Sequence, residues 1–195
     1  MKRSFKTTAL IASGVLIIAL SAVTSANADA LTIGSWSEFS FTTAGTLARG
    51  CDPADPAGNF CIPSSGTPTV FLGAPPWTFT SAGSSVLTVT DAFVAGDRFQ
   101  LFDFGVSIGL TSVPSGNADC GDDPVPCLAT VGISQGLFSL GAGAHSITIV
   151  PTVSLGGGAG FLRVDAAAAV PEPSSLILLG GGLAVISLAR RKKDR

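Results

Sequence analysis

The stretches Phe99-Gln100-Leu101-Phe102-Asp103-Phe104 and Ser146-Ile147-Thr148-Ile149 show the two-residue hydrophobic period of a β-strand more clearly than any other part of this sequence. β-branched and aromatic residues, which favour strands, are frequent in both stretches. Turn-forming residues such as Gly105 and Pro151 lie next to them. These two stretches therefore predict β structure, and similar runs extend outward from them in both directions.

Ten candidate strands occur between residues 31 and 165, and Gly, Pro, Asn and Ser separate them. They are 31–41, 69–72, 77–80, 85–91, 99–104, 106–111, 129–133, 137–140, 146–153 and 161–165. Between these limits, no stretch keeps a helical period with capping residues. The pattern predicts an all-β fold, either an antiparallel β-sandwich or a jelly roll. We expect Pro151 to mark a strand edge or a bulge, and the glycines of 156–160 to form a tight turn.

Charge is scarce and unevenly distributed, since 46% of the 195 residues are hydrophobic and only 12% are charged. Residues 30–170 contain three Arg against ten Asp and Glu, which gives this middle part a formal charge of −7, although the whole chain is only −2. A nucleic-acid partner needs a basic surface, so the charge argues against one. The high apolar content also argues against a disordered chain.

The N-terminal residues have the layout of a secretory signal peptide. Lys2, Arg3 and Lys6 precede an apolar stretch at 9–23, and small residues follow in two overlapping A-x-A sites at 26–28 and 28–30. We predict a signal peptide at 1–30, removed on export by the secretion machinery. The alternative is an N-terminal membrane anchor, although the apolar stretch is short for a span.

The C-terminal residues form a second targeting segment after a predicted β ectodomain at 31–165 and a linker at 166–170. The tripeptide Pro171-Glu172-Pro173 precedes an apolar run at 176–189, which forms the main part of a predicted transmembrane helix at about 174–189. The basic residues that follow would stop transfer and remain in the cytoplasm as a tail at 190–195; they are Arg190, Arg191, Lys192, Lys193 and Arg195. Such a helix reaches only about 21–24 Å against about 30 Å of hydrocarbon, which suits a temporary anchor.

Residues 170–195 resemble the PEP-CTERM sorting signal of exopolysaccharide-producing Gram-negative bacteria. That signal combines a Pro-Glu-Pro motif, a short glycine-containing apolar helix and an arginine-rich end, and all three parts occur here in order. The resemblance implies recognition and cleavage by a membrane-embedded exosortase, followed by release to the cell surface or extracellular matrix. It also implies an association with exopolysaccharide and biofilm. The rival interpretation is a plain tail anchor, in which the two prolines only end the domain.

Four cysteines lie in the predicted ectodomain: Cys51, Cys61, Cys120 and Cys127. Export to an oxidising compartment favours disulfides, and three pairings are possible. Local pairing of Cys51 with Cys61 and of Cys120 with Cys127 fits the two Pro- and Gly-rich loops that they bracket. A zinc site is the alternative, although neither spacing is the usual close pair and His145 is the single histidine.

No group of residues predicts a catalytic centre. Ser134 lies in a G-x-S-x-G sequence, but no acid separates it from His145 and no helix follows it. We expect His145 to be a hydrogen-bonded or exposed structural residue. Asp91, Asp97 and Asp103 are the carboxylates that a glycoside hydrolase would use, since such enzymes need two of them.

Calcium is the one cofactor that the sequence suggests. Asp119, Asp122 and Asp123 crowd one loop, and Asp52 and Asp55 crowd another. Solvated acidic loops are the simpler interpretation, so we predict no resident cofactor. Trp36, Trp77 and the twelve phenylalanines would provide a sugar-stacking platform if they were exposed; most Phe should be core, and Trp77, after Pro75-Pro76, is the one we expect near the surface.

The sequence as a whole favours a non-enzymatic surface or matrix protein that is exported and briefly anchored in the inner membrane. Exosortase would then release it, with exopolysaccharide as a possible partner. The alternatives are a secreted polysaccharide hydrolase and a calcium-dependent carbohydrate-binding or adhesion module.

Overall fold

The structure, a computed structural model, describes residues 28–167. The predicted sorting tripeptide, transmembrane helix and basic tail lie outside these residues, as does nearly all of the predicted signal peptide. Within residues 28–167, no helix is long and apolar enough to cross a membrane.

Twelve strands and one short helix make up the described part of the chain. They are β1 (Asp29–Ala30), β2 (Trp36–Phe41), β3 (Cys51–Asp52), β4 (Asn59–Phe60), β5 (Thr69–Phe71), β6 (Trp77–Ser81), β7 (Ser85–Asp91), β8 (Arg98–Asp103), β9 (Val106–Leu110), α1 (Pro124–Ala129), β10 (Gln135–Leu140), β11 (Gly143–Val153) and β12 (Gly158–Ala166).

Two five-stranded sheets form the body of the fold. Sheet A has the order β1-β6-β11-β8-β9, and sheet B has the order β10-β7-β12-β2-β5. Strands β3 and β4 form a separate two-stranded pair. Neighbours in sheets A and B are antiparallel, apart from the short edge pairs β1–β6 and β2–β5. This arrangement confirms the predicted antiparallel β-sandwich.

An aromatic cluster lies at the centre of the core between the two sheets. The ring of Phe39 in β2 is 5.7 Å from that of Trp77 and 5.4 Å from that of Phe99, which both belong to sheet A. Phe41 meets Phe99 edge to face at 5.1 Å. These side chains are almost fully buried. Each such pair contributes about 0.5–1.5 kcal/mol beyond the burial of its area, so the cluster joins the two sheets.

Sheet B is covered on its outer face as well. Trp36 and Phe161 point to this face and belong to a second buried cluster, which includes three of the four disulfide-bonded cysteines. Loops closed by the Cys51–Cys61 and Cys120–Cys127 disulfides, together with α1, supply the cover. The domain therefore has three layers. Both buried clusters and both disulfides lie within residues 28–167, so these residues contain a complete folding unit.

One predicted strand is wrong. The structure places α1 and a loop where a strand at 129–133 was expected. Asp123 caps the helix by accepting a hydrogen bond from the Val125 N–H, and Pro124 occupies the first helical position. Gly132 then adopts a φ of 97°, which ends any extended conformation there. The apolar residues of this segment mark a loop packed on sheet B.

The bulge prediction is confirmed, and the turn expected at 156–160 is confirmed only for Gly156 and Gly157, because Gly158 and Gly160 already belong to β12. The register of β11 against β8 shifts between Pro151 and Val153, which is the bulge expected at this proline. The Pro151 carbonyl accepts a hydrogen bond from Gly45. Gly156 and Gly157 have φ values of 123° and 105° and form the tight turn before β12.

We predict that replacing Cys51 and Cys61 together by alanine lowers the free energy of unfolding by about 2–3 kcal/mol. The disulfide joins residues 10 positions apart and closes one of the two loops that cover sheet B. Urea unfolding of residues 28–167 measures the change. The matched control replaces Cys120 and Cys127, which are 7 positions apart, and should cost about 2 kcal/mol. A loss below about 1 kcal/mol at Cys51–Cys61 would contradict the role given to this loop.

Candidate functional site

The predicted sorting residues Pro171, Glu172 and Pro173 and the basic residues of 190–195 lie outside the described residues. The site candidates that the structure does describe all belong to the ectodomain. The disulfides are found as the locally paired set, Cys51–Cys61 and Cys120–Cys127, and no cysteine in residues 28–167 is free.

Asp55 organises the first disulfide loop. Its carboxylate accepts hydrogen bonds from the N–H groups of Gly50 and Ala57 and pairs with Arg49 at 2.7 Å. Burial alone raises the pKa of Asp55, but these hydrogen bonds and the guanidinium outweigh it and hold the pKa below its usual range. The sequence suggested Asp55 as a calcium ligand, and the structure places it as a loop brace.

The carboxylates of the acidic loop at 119–123 also accept hydrogen bonds from within the protein. Asp122 accepts a hydrogen bond from the Ser65 hydroxyl at 2.7 Å, and Asp123 accepts one from the Thr67 N–H at 3.1 Å. The Asp119 carboxylate accepts the Gly121 N–H. These bonds tie the segment after the first disulfide loop to the second disulfide loop. Calcium binding by Asp119, Asp122 and Asp123 remains a prediction.

Glu38, the single glutamate of the described residues, is fully buried beneath the first disulfide loop. It lies on the outer face of sheet B, and its carboxylate and the sulfurs of Cys51 and Cys61 all lie within 4.8 Å of one another. Thr69 donates a hydrogen bond to one carboxylate oxygen at 3.4 Å, and the other oxygen has no partner. Within residues 28–167 this is the one set of three potential metal ligands that converges, and its two sulfurs are joined in the disulfide.

Burial controls the protonation of Glu38. Loss of solvation raises its pKa to about 7, the Thr69 hydroxyl lowers it in part, and the nearby negative charge of Asp122 raises it further. The carboxyl group therefore carries a proton over much of the acidic range. The burial of Glu38 was not predicted from the sequence. Alternation in β2 places this residue on the outer face of sheet B, which a two-layer sandwich would expose to water. The two cysteine-bracketed loops were the only signal that this face is covered.

The three aspartates considered for hydrolysis divide between opposite ends of the sandwich. Asp91 and Asp97 lie together where β7 ends, and the Asp97 N–H donates to the Asp91 carboxylate at 3.2 Å. Asp103 lies at the far end of the six-residue β8, roughly 20 Å away at strand spacing. Burial, reinforced by the Asp97 charge, raises the pKa of Asp91 to about 8, and burial also raises the pKa of Asp97.

His145 pairs with Asp103 across strands β11 and β8. Its Nδ1 is 2.7 Å from the Asp103 carboxylate, its Nε2 is 3.1 Å from the Gly141 carbonyl oxygen, and its ring stacks on Phe79 at 4.7 Å. Asp103 also accepts the Ser146 N–H. Both ring nitrogens are used inside the fold, in agreement with the structural role expected for this histidine.

Ser134 is buried at the opposite end of the sandwich from His145. It immediately precedes β10, and its hydroxyl donates to the Ser112 carbonyl and lies 2.6 Å from the Thr111 hydroxyl. A strand follows Ser134, whereas a hydrolase elbow requires a helix there. The G-x-S-x-G sequence is therefore a structural feature of this fold.

The expectation that Trp77 lies near the surface is wrong, because its side chain is fully buried in the aromatic cluster and its Nε1–H donates to the Gly73 carbonyl. Trp36 is buried too. The exposed rings are those of Phe60, 76% exposed, and Phe104, 66% exposed. Each lines a shallow groove, of about 410 Å³ beside Phe60 and about 600 Å³ beside Phe104. An extended aromatic platform of the two tryptophans is therefore not available.

We predict that Glu38→Gln makes the free energy of unfolding less dependent on pH. A carboxyl group with a raised pKa in the folded state favours folding when protonated, so its contribution declines as the pH rises from about 4.5 to about 7. The decline from this residue amounts to about 3 kcal/mol and should disappear in the variant. Urea unfolding between pH 4 and pH 8 measures it.

Asp52→Asn is the control for this experiment, because Asp52 is an exposed carboxylate in the same disulfide loop. This variant should keep the pH dependence of the unaltered chain. Equal slopes for the unaltered chain and Glu38→Gln would mean that the Glu38 carboxyl is solvated and that the loop does not cover it.

Comparison with known proteins bears on the C-terminal residues. The family model for the PEP-CTERM protein-sorting motif matches residues 169–193. No curated protein and no solved structure matches the chain. The match includes the Pro-Glu-Pro tripeptide, the apolar run and most of the basic tail, and it leaves the ectodomain unassigned. It confirms the resemblance seen in the sequence: the chain is a protein with a PEP-CTERM sorting domain at residues 169–193.

Proposed function

We propose that this chain is a non-enzymatic protein of the cell surface or extracellular matrix, released by exosortase cleavage and associated with exopolysaccharide. The PEP-CTERM motif at residues 169–193 carries the proposal, because this motif implies export and exosortase-type sorting at the membrane. The β-sandwich is the part that remains outside the cell once the sorting domain has been cleaved.

The chemistry of the ectodomain supports an extracytoplasmic location. All four cysteines are joined in two disulfides, and disulfides persist in oxidising compartments. The loops that they close are rich in Pro and Gly. Reduction of the disulfides would release these loops from the outer face of sheet B. An exported domain therefore suits the way in which this fold is stabilised.

The separation of the reactive side chains supports a role without catalysis. Ser134 and His145 lie at opposite ends of the sandwich, and Asp103 lies far from Asp91 and Asp97. Ser134, His145 and Asp103 therefore act separately in holding loops and strands, and the two carboxylates that do lie together, Asp91 and Asp97, are both buried.

Strand β1 supports signal-peptide cleavage after Ala28, two residues before the end predicted from the sequence. Asp29 and Ala30 pair with β6, and the Asp29 carboxylate accepts the Gly73 N–H at 2.6 Å. Cleavage after Ala30 would remove this strand, whereas cleavage after Ala28 keeps it. We therefore expect the exported protein to begin at Asp29, which N-terminal sequencing of the secreted protein can test. An N-terminus at Leu31 would contradict a structural role for β1.

We predict that the producing cell releases a protein whose mass ends between Pro171 and Ser174, and that Glu172→Ala prevents this release. The variant should stay in the membrane fraction with Arg195 still present, because it lacks the only carboxylate of the motif. Intact mass spectrometry of membrane and medium fractions measures both forms.

Asp194→Ala is the matched control, since it removes a carboxylate from the same C-terminal segment outside the tripeptide. It should be processed like the unaltered protein. Retention of Arg195 in the unaltered protein at all stages of growth would overturn exosortase processing.

A further inference from the structure

The outer face of sheet A is the one sheet face that nothing in residues 28–167 covers. Along β8, Phe99 and Leu101 point into the core, whereas Gln100 and Phe102 alternate with them and point outward. The residues that alternate outward on β6, β8 and β11 are half-buried or exposed, and none of them is buried. The outer face of sheet B differs, because the disulfide loops and α1 bury it. Sheet A therefore presents an open surface.

This open surface carries one charged side chain, Arg98 at the start of β8. Strands β6, β9 and β11 contain no Asp, Glu, Lys or Arg. Asp103, at the other end of β8, alternates to the inner side and pairs with His145. Asp29 belongs to β1 at the far edge of the sheet, three strands from β8, and its carboxylate accepts the Gly73 N–H. The outer face of sheet A is therefore positive in a domain that is otherwise acidic.

Arg98 is also the one cationic side chain of residues 28–167 that has no anionic partner. Arg49 and Arg163 each pair with an aspartate, and His145, the single histidine, pairs with Asp103. These residues contain no lysine. In the part of the chain that the structure describes, no carboxylate lies within 4 Å of the Arg98 guanidinium. An unpaired cation in so acidic a domain favours contact with an external anion.

The orientation of Arg98 leaves the end of its guanidinium free. Its Nε–H donates to the Thr111 carbonyl at 3.0 Å, which holds the group beside the end of β9. The two terminal nitrogens make no hydrogen bond within residues 28–167. A carboxylate accepts two parallel hydrogen bonds from such a pair of nitrogens, which fixes its direction as well as neutralising its charge. Arg98 therefore suits a carboxylate ligand.

Two further side chains form a row with Arg98 along β8. Gln100 follows two residues later, and its amide donates to the Ser107 hydroxyl of β9 at 3.1 Å. Phe102 comes next, half-buried between Ser107 on one side and Thr148 of β11 on the other. Neighbours in this row are roughly 7 Å apart at strand spacing. The row offers a cation, an amide and an aromatic ring, with hydroxyl groups beside them.

Sugar units that carry a carboxylate match the groups of this row. One face of a pyranose ring presents C–H groups, which pack on the electronegative face of an aromatic ring. Sugar hydroxyls exchange hydrogen bonds with amide and hydroxyl side chains. A uronic acid adds the carboxylate that the free end of the Arg98 guanidinium accommodates.

We propose that Arg98, Gln100 and Phe102 bind an acidic, uronate-containing polysaccharide, with a sugar carboxylate paired to Arg98. This inference rests on the proposed association with exopolysaccharide, and it adds the face of the domain and the chemical class of the sugar. Charge supports the choice of face. Residues 30–170 contain ten Asp and Glu, which repel a polyanion, whereas the outer face of sheet A presents a guanidinium and no carboxylate.

The test uses exopolysaccharide purified from the producing cells and immobilised for surface plasmon resonance with residues 28–167. A second sample of the same polysaccharide has its carboxyl groups reduced to alcohols. The native sample should bind, and carboxyl reduction should weaken binding by at least about tenfold, because it removes a charge-assisted pair. Arg98→Gln should weaken binding to the native sample by a similar factor and should make the two samples equivalent.

Arg163→Gln is the matched control, since it removes one positive charge from sheet B and should leave the affinity unchanged. Phe102→Thr should weaken binding by about fivefold, because it removes the aromatic face. Phe102 lies outside the core clusters, so this variant should keep the fold, which urea unfolding can verify.

Two kinds of failure are distinguishable. If the domain binds native polysaccharide but Arg98→Gln or carboxyl reduction leaves the affinity unchanged, the proposed face and sugar class are wrong, and the association with exopolysaccharide stands. If the unaltered domain binds neither sample, the polysaccharide part of the proposed function fails and this inference fails with it.

Discussion

Sheet B has large side chains on both of its faces, and the need to bury both faces determines the rest of this structure. The inner face packs on sheet A through Phe39 and Phe41. The outer face carries Trp36 and Phe161, which sheet A cannot reach. A two-layer sandwich would leave these two rings in water, at a cost of roughly 1.5–3 kcal/mol for each large side chain. The disulfide loops and α1 remove that cost by forming a third layer.

The third layer explains the positions of the polar residues. A cover made of Pro- and Gly-rich loops has little secondary structure of its own, so carboxylates supply the missing hydrogen bonds. Asp55 braces one loop, Asp123 caps α1, and Asp122 joins the two loops through Ser65. Asp55, Asp122 and Asp123, which the sequence suggests as metal ligands, thus accept hydrogen bonds that hold the loops in place. This distribution is the physical basis for proposing a structural protein that is sorted to the surface.

The sequence predicts much of the sandwich, because alternation in strands such as β8 and β11 follows directly from burial on one face. It also predicts the local disulfides, because each cysteine pair brackets a loop that would otherwise lack order. It does not predict the burial of Glu38, which depends on a disulfide loop that packs over the outer face of sheet B, or that of Trp77, which packs against Phe39 between the two sheets. Helix α1 was missed because it is only six residues long and is defined by the Asp123 cap and Pro124. In each case, the missing information is tertiary contact, which periodicity does not contain.

The covering of sheet B is the central claim, and Glu38 reports on it directly. It is the only glutamate in residues 28–167, so its carboxyl carbon gives a single glutamate signal in a ¹³C NMR titration of that domain. If the first disulfide loop covers the outer face, this signal should titrate with a pKa of about 7. A titration near the ordinary glutamate value of about 4.3 would show that water reaches the carboxyl group. The outer face of sheet B would then be open, and the three-layer account would be wrong.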